Sequence, residues 1–290
     1  MTLILDAPIP DSRVVRMFLD DEIEVLRLDL PRGRFRSVLF DFDGTLSLIR
    51  EGWPHVMIPM MVEVLRDTGT SESPAALTDA AEEFVMRLNG RQTIYQMIQL
   101  AEEVQRRGGT PLEPLEYKRR YHDLLMERIQ GRLAALGSGD AAAEEWTVPG
   151  SHALLAELRD RGLTLYLASG TDVQFVLQEA ELLGLRPFFG QNIYGALDDY
   201  KNFSKRMIIT QILREHDLCG EELLGFGDGF VEIEEIRNVG GVAVAVASDE
   251  VRRQGVDEWK RTRLIRAGAD IVIPEYRRHE RLLRYLFAEE

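Results

Sequence analysis

The second half of the chain alternates short apolar runs with segments of helical periodicity, and this alternation restricts the fold more than any other feature. Such continuous apolar runs are typical of strands buried on both faces of a sheet. The order strand, helix, strand predicts parallel strands joined by right-handed crossover connections. Strands are predicted at 163–168, 223–226, 242–246 and 271–273, and helices near 153–161, 173–183, 204–216 and 233–238.

One further strand is predicted upstream at Ser37–Phe40, about a hundred residues before the others. Between them, apolar residues recur at the spacing of amphipathic helices, and 136–145 is predicted to be a flexible return. The extension at 1–35 has two β-prone pieces, 3–5 and 23–30, that can add an edge strand or hairpin. The sequence thus predicts three parts: an extension at 1–35, an α/β core at 36–47 and 148–290, and an inserted helical domain at 48–147.

Polar residues follow three of the predicted strands at the point where each strand ends. Asp41 and Asp43 follow the first, Ser169 and Asp172 follow the second, and Asp228 follows the third. In an open parallel sheet, ligands bind beyond the carboxyl ends of the strands. Carboxylates brought together there repel one another unless a cation lies among them, and oxygen ligands suit Mg²⁺. The sequence therefore predicts a Mg²⁺ site at Asp41 and Asp228 that leaves coordination positions open for a phosphoryl group.

Four motifs in this order resemble those of the haloacid dehalogenase-like superfamily, and specifically its phosphatases with a helical cap of the first type. The resemblance covers residues 36–290, and the helical segment lies where that family has its cap. It implies a Rossmann-like parallel sheet core. The motifs are Asp41-Phe-Asp-Gly-Thr45, the strand Leu165–Ser169, Lys205 at the start of an apolar helix, and Gly227-Asp228-Gly-Phe-Val-Glu232.

The resemblance implies hydrolysis of a phosphomonoester through an aspartyl-phosphate. Asp41 would be the nucleophile, Asp43 the general acid and base, and Ser169 a ligand of a phosphoryl oxygen. Lys205 would offset negative charge, since a carboxylate about 4 Å from a phosphate charge is opposed by roughly 4 kcal/mol at an effective dielectric of 20. The implied metal ligands are Asp41, Asp43, Asp228 and Glu232, and the implied substrate contacts include Thr45 and Gly170.

Three assignments within this scheme have alternatives. Lys201 lies in the same loop as Lys205, but the apolar positions that follow Lys205 place it at the start of an amphipathic helix. The fourth motif usually ends in Asp, whereas this chain has Glu232, whose longer side chain changes the metal environment. Arg50 and Arg91 can either close over a phosphorylated substrate or belong to a solvated surface.

Composition and spacing exclude several other functions. The chain has 35 basic and 49 acidic residues, and a net charge of −14 disfavours nucleic acid as a partner. The single cysteine and the lack of an N-terminal signal or an apolar span predict a cytoplasmic protein away from membranes. An EF-hand does not fit, because its glycine belongs at loop position 6 and Gly44 is at position 4.

The sequence therefore predicts a Mg²⁺-dependent phosphatase that acts on a small phosphorylated metabolite such as a sugar phosphate. Two alternatives stay open. A phosphomutase would use the same aspartates and return the phosphoryl group to its substrate, and a binding protein could use this scaffold without catalysis. Neither the particular substrate nor the oligomeric state follows from the sequence.

Overall fold

The sheet that the sequence predicts forms the centre of the molecule. A computed structural model describes residues 17–19, 21–197 and 204–289. Within these ranges, one sheet contains eight strands: β1 (Met17–Phe18), β2 (Glu24–Val25), β3 (Ser37–Phe40), β4 (Thr164–Asp172), β5 (Ile193–Ala196), β6 (Leu223–Gly227), β7 (Val242–Val246) and β8 (Ile271–Ile273).

The strand order places the three strands with polar ends next to one another. Across the sheet the order is β1-β2-β8-β7-β6-β3-β4-β5. Strands β3 to β8 run parallel to one another, and β2 is antiparallel to both of its neighbours, β1 and β8. In β3, Ser37 lies opposite Leu223 of β6 on one side and Thr164 of β4 on the other. The carboxyl ends of β3, β4 and β6 therefore meet at one edge, and the predicted α/β class with a parallel core is confirmed.

Helices cover both faces of this sheet. The described ranges contain eleven α-helices: α1 (Pro54–Arg66), α2 (Pro74–Arg87), α3 (Thr93–Arg106), α4 (Pro114–Ser138), α5 (Ser151–Asp160), α6 (Val173–Leu182), α7 (Arg186–Phe189), α8 (Lys205–Glu215), α9 (Phe230–Asn238), α10 (Glu258–Arg266) and α11 (His279–Leu286). The first four lie between β3 and β4 and are called the helical insertion below.

Burial on both faces explains why the strands are continuous apolar runs. All four residues of β3 are buried, with Leu39 in the core on one face and Val38 and Phe40 in the core on the other. Helices α8, α9 and α10 pack on the face with Leu39, while α5, α6 and α11 pack on the opposite face. Each residue of such a strand gains from leaving water, so no polar alternation develops.

Five strands and α-helices of the described ranges are absent from the predicted set, namely β1, β5, α7, α10 and α11. Strand β5 and helix α7 have only four residues each, so neither is long enough to show a periodic pattern of apolar residues. Helix α10 buries only Lys260 and Leu264, so its sequence is mostly charged and shows no apolar periodicity. The predicted flexible return at 136–145 is wrong at both ends, because α4 continues to Ser138 and a 3₁₀ turn begins at 143.

The N-terminal extension contributes the two antiparallel strands at one side of the sheet. Strand β2 pairs with β8, and Glu24 accepts hydrogen bonds from Arg261 Nε and Nη2 at 2.7 and 2.8 Å. Strand β2 lies within the predicted β-prone piece at 23–30, β1 lies outside both predicted pieces, and the piece at 3–5 lies outside the described residues. None of the helices in the described ranges combines the length and apolar character that a membrane crossing needs.

Two glycines in β6 allow α9 to approach the sheet closely. A Cβ atom at Gly225 would lie 1.9 Å from Ile236 Cδ1, and one at Gly227 would lie 2.2 Å from Glu232 Cγ. Larger residues would push α9 away from β6. Because α9 carries Glu232, this close packing also sets the position of that carboxylate at the edge of the sheet.

We expect Gly225→Ala to lower the free energy of unfolding by about 1–3 kcal/mol, because the added methyl group overpacks the interface between β6 and α9. Gly131→Ala is the matched control, since Gly131 lies in α4 and an added Cβ atom there would have no neighbour within 4 Å. That variant should gain about 0.5–1 kcal/mol from helix propensity. Urea denaturation measures both changes, and equal stabilities of the two variants would contradict this account of the interface.

Candidate functional site

The polar ends of β3, β4 and β6 border one cavity of about 530 Å³. Of the residues predicted for the site, all but Thr45 and Glu232 line it: Asp41, Asp43, Arg50, Arg91, Ser169, Gly170, Lys205 and Asp228. The helical insertion supplies the opposite wall. The parallel topology thus brings together side chains that are up to 187 positions apart in the sequence, from Asp41 to Asp228.

Lys205 connects two of the three carboxylates at the base of the cavity. Asp41, Asp228 and Glu232 each offer an oxygen within 4.8 Å of the other two. Lys205 Nζ donates to Asp41 Oδ1 at 2.6 Å and to Glu232 Oε2 at 2.8 Å. Ser204 caps α8 by accepting a hydrogen bond from Met207 N at 3.2 Å, which fixes Lys205 in the first turn.

Burial makes this cluster dependent on compensating charge. Removal from water raises the pKa of Asp41, and the neighbouring carboxylates of Glu232 and Asp228 raise it further, while Lys205 opposes both effects. For Lys205, burial alone would lower the pKa, but Asp41 and Glu232 outweigh burial and raise it. Lys205 therefore stays protonated, and its charge limits the rise in the pKa of Asp41.

The free oxygens of the cluster suit a hard divalent cation. Asp41 Oδ2 accepts no hydrogen bond from the described residues, and Asp228 Oδ1 has only a 3.4 Å contact with Thr45 Oγ1. Glu232 differs, since its Oε1 accepts from Gly229 N at 2.5 Å and its Oε2 accepts from Lys205. The donor set fits a metal such as Mg²⁺ at Asp41 and Asp228, with Glu232 holding Lys205 in place.

Thr45 and Gly44 set the position of Asp228. Thr45 is fully buried, and its hydroxyl accepts a hydrogen bond from Asp228 N at 3.0 Å. Gly44 has φ +75°, and a Cβ atom there would lie 2.2 Å from Asp228 Oδ2. A left-handed backbone without a side chain is therefore required at this turn. Thr45 contacts the acidic cluster and does not border the cavity.

Asp43 belongs to a second group of side chains on the other side of the cavity. Its Oδ2 accepts hydrogen bonds from Ser169 Oγ at 3.2 Å and from Thr171 Oγ1 at 2.9 Å. Its Oδ1 is buried and has no hydrogen-bond partner among the described residues, although Arg50 Nε lies 3.6 Å away. The two aspartates of the first loop therefore have different partners, and the side chain of Asp43 lies outside the three-carboxylate cluster.

Arg50 is held beside Asp43 by a buried ion pair. Its Nη2 and Nε donate to Glu179 Oε1 at 2.6 and 3.0 Å, and both side chains are at most one-tenth exposed. This pairing neutralises the guanidinium and orients it. Glu179 lies within α6 and has no motif around it, so sequence reasoning missed it, and it assigned no role to Thr171, whose hydroxyl contacts Asp43.

Lys260 is a second buried lysine that sequence reasoning missed. It donates to Asp228 Oδ2 at 2.9 Å and to Glu250 Oε1 at 2.6 Å. Burial raises the pKa of Glu250, and Lys260 opposes that rise. Lys205 and Lys260 therefore each bridge two carboxylates. Helix α10, which carries Lys260, was not predicted, so nothing in the sequence connected this residue with the cavity.

The loop between α2 and α3 of the insertion lies directly on the end of β4 and on the loop after β6. A Cβ atom at Gly90 would be 3.2 Å from Gly229 Cα, and one at Gly170 would be 3.2 Å from Arg91 O. Arg263 of α10 holds the same loop by donating to Asn89 O at 3.0 Å. The insertion thus covers the cavity, while the exposed Arg91 lies at its rim. Lys201, the alternative to Lys205, lies outside the described residues.

Comparison with known proteins gives a family and a fold. The family model of haloacid dehalogenase-like hydrolases matches residues 35–240 of the chain. No curated protein matches the sequence significantly. Among solved structures, a predicted phosphoglycolate phosphatase from Haemophilus somnus has 14% identity and a TM-score of 0.57, over 86% of this chain and 98% of that chain.

Two further solved structures are similar over the same extent. A β-phosphoglucomutase from Clostridium difficile has 11% identity and a TM-score of 0.55, over 87% of this chain and 98% of that chain. A haloacid dehalogenase-like protein of unknown function from Agrobacterium tumefaciens has 18% identity and a TM-score of 0.55, with the same coverages of 87% and 98%. At such identities these structures show a shared fold alone.

We expect Lys260→Met to lower the free energy of unfolding by about 3 kcal/mol in EDTA, because two buried carboxylates lose their cation. Saturating Mg²⁺ should recover more stability in this variant than in the wild type, since a metal at Asp228 replaces part of the lost charge. Arg87→Met is the control, because its pair with Glu83 is exposed and contributes at most about 1 kcal/mol. Equal losses in the two variants, measured by urea denaturation, would contradict the role of Lys260.

Proposed function

The chain belongs to the haloacid dehalogenase-like hydrolase family, and from that membership we propose a Mg²⁺-dependent phosphatase of small phosphomonoesters. One observation carries the proposal. Two carboxylates of a single loop border the same cavity, with Asp41 held by a lysine and Asp43 held by two hydroxyl groups. This pair supplies a nucleophile and a separate proton donor at one phosphate-sized position.

In the first step that we propose, a carboxylate oxygen of Asp41 attacks phosphorus. A bond forms between that oxygen and phosphorus while the bond from phosphorus to the alcohol oxygen breaks. Asp43 gives a proton to the departing oxygen through Oδ1, the oxygen without a hydrogen-bond partner among the described residues. Lys205 stays bound to Oδ1 of Asp41 and offsets the charge that collects there.

In the second step, a water molecule hydrolyses the aspartyl-phosphate on Asp41. Asp43, now a carboxylate, takes a proton from the water as its oxygen attacks phosphorus, and the bond to Asp41 breaks. Ser169 and Thr171 keep Asp43 in one orientation through both steps, since both hydroxyls donate to Oδ2. Inorganic phosphate leaves, and both aspartates return to their starting states.

A Mg²⁺ ion bound by Asp41 and Asp228 would neutralise phosphate oxygens and reduce their repulsion of the nucleophile. We assign its side-chain ligation to these two residues, while Glu232 holds Lys205 and Thr45 orients Asp228. We assign the side chain of Asp43 to proton transfer and not to metal binding. Lys260 donates a hydrogen bond to Oδ2 of Asp228 and so compensates part of the negative charge of that carboxylate.

We propose that the helical segment 48–147 acts as a cap domain over the α/β core. In the structure, the loop at Gly90 rests on Gly229, and Arg263 holds it there through a backbone carbonyl. Opening of this contact would admit the substrate, and closure would exclude bulk water from the aspartyl-phosphate. Arg91 at the rim is the cationic residue best placed to meet an incoming phosphate.

The two alternatives predict different products. A phosphomutase would pass the phosphoryl group from Asp41 back to a sugar, so little inorganic phosphate would appear in a single turnover. A non-catalytic binding protein would have no need for the contacts that orient Asp41 and Asp43. The complete set of these contacts favours a hydrolase, and release of inorganic phosphate distinguishes it from a mutase.

We expect wild-type protein to hydrolyse 4-nitrophenyl phosphate with Mg²⁺ and to lose that activity in EDTA. Asp41→Asn should lower kcat by about a thousandfold or more, because it removes the nucleophile. Asp43→Asn should also lower kcat strongly, since no base then activates the water that hydrolyses the aspartyl-phosphate. Asp79→Asn, an exposed change on α2, should retain wild-type activity. Hydrolysis by Asp41→Asn at the wild-type rate would exclude the proposed mechanism.

We expect Lys205→Met to abolish this hydrolysis and Lys201→Met to leave most of it. Lys205 compensates both Asp41 and Glu232, so its loss leaves the nucleophile in an uncompensated acidic site. Circular dichroism checks that both variants are folded, and phosphate release measures their rates. An inactive, folded Lys201→Met variant beside an active Lys205→Met variant would transfer the assignment to Lys201.

A further inference from the structure

The wall of the cavity formed by the helical insertion contains two polar side chains, each with one group that has no hydrogen-bond partner among the described residues. Tyr121 of α4 and Gln96 of α3 are 7% and 4% exposed, and both line the cavity. The hydroxyl of Tyr121 makes no hydrogen bond with any described residue. Gln96 Nε2 donates to Val85 O at 3.1 Å, which fixes the amide, and Oε1 has no donor within the described ranges.

Such groups are costly in a folded protein unless something else satisfies them. A buried hydroxyl or amide loses its hydrogen bonds to bulk water, and phenylalanine or methionine would fill the same volume without that cost. Both side chains line the cavity. A ligand in the cavity is therefore the partner that can restore their hydrogen bonds.

The positions of Tyr121 and Gln96 indicate which part of the substrate these side chains would contact. Tyr121 borders the same cavity as Arg50 and Asp43, and burial raises the pKa of its hydroxyl. In the proposed mechanism, Asp43 protonates the alcohol oxygen that leaves phosphorus. Groups on the insertion wall lie opposite the acidic residues that would hold the phosphate, and consequently face the alcohol part of the substrate.

The charges of the cavity indicate what kind of alcohol fits. Of the five described Lys and Arg side chains that line it, four pair with carboxylates: Arg50 with Glu179, Lys205 with Asp41 and Glu232, Arg252 with Asp249, and Lys260 with Asp228 and Glu250. The fifth, Arg91, is exposed at the rim. A second anionic group on the substrate would find no uncompensated buried cation among these five, and Gln96 Oε1 would repel it.

We propose that Tyr121 and Gln96 bind hydroxyl groups of the alcohol, so that the protein selects polyol and sugar phosphates over carboxylate-bearing phosphates. Gln96 Oε1 accepts a hydrogen bond from one hydroxyl of the ligand. The Tyr121 hydroxyl donates to an oxygen of the ligand. This inference rests on the proposed phosphatase function and adds the chemical class of the substrate.

The test compares three phosphomonoesters: sorbitol 6-phosphate, phosphoglycolate and 4-nitrophenyl phosphate. Wild-type kcat/KM should be at least about tenfold higher for the sorbitol ester than for phosphoglycolate, because a site that pairs with hydroxyls rejects ligands that lack them. Tyr121→Phe should lower the ratio of kcat/KM for the sorbitol ester to that for the nitrophenyl ester by about tenfold, mainly through KM. Gln96→Met should lower the same ratio.

A stability measurement separates substrate binding from a structural role. Because the Tyr121 hydroxyl has no partner among the described residues, Tyr121→Phe should have a Tm equal to or above that of the wild type. Tyr117→Phe is the matched control on the same helix, since the Tyr117 hydroxyl accepts from Leu112 N at 3.1 Å and does not line the cavity. That variant should lower Tm and leave the substrate ratio unchanged.

Each outcome decides the inference. An unchanged ratio in both Tyr121→Phe and Gln96→Met, or a wild-type preference for phosphoglycolate, overturns it while the phosphatase proposal stands. Hydrolysis of none of the three esters by the wild type overturns the proposed function and this inference together. A lower ratio with an undiminished Tm in Tyr121→Phe supports the assignment.

Discussion

The contact of Lys205 with Asp41 and Glu232 is the interaction on which the rest of the site depends. Three carboxylates meet at the carboxyl end of a parallel sheet, where burial strengthens their mutual repulsion. A fixed ammonium group that touches two of them makes this arrangement tolerable and keeps one oxygen of Asp41 free. Lys260 likewise contacts both Asp228 and Glu250 and compensates their negative charge.

The sheet topology explains why such distant residues can share one cavity. Strand β3 lies between β4 and β6, so the loops after all three strands emerge side by side. Glycines then allow the closest approaches, with Gly44 against Asp228 and Gly227 against Glu232. The helical insertion enters between β3 and β4 at this same edge. The connection from β3 to β4 therefore contains both the acidic loop and the helices that cover it.

The core and the acidic loops could be predicted from the sequence because both leave strong local signals. The strand Ser37–Phe40 has the bounds that its apolar run predicts, and the motif around Asp41 follows it directly. Helix α10 leaves no such signal, since charged residues dominate it, and Lys260 was therefore missed. Tyr121 was missed for a different reason. In the sequence it is one apolar position of a helical stripe, and only the packing of α3 against α4 shows that its hydroxyl faces the cavity.

The most direct test of the account is the identity of the residue that carries the phosphoryl group during turnover. Rapid mixing of wild-type protein with a ³²P-labelled phosphomonoester, acid quenching and peptide mapping locate the labelled side chain. The account predicts a transient, alkali-labile label on the peptide that contains Asp41, appearing before inorganic phosphate. A label on a histidine, a serine or another aspartate, or phosphate release at full rate with no labelled protein at any time, would contradict it.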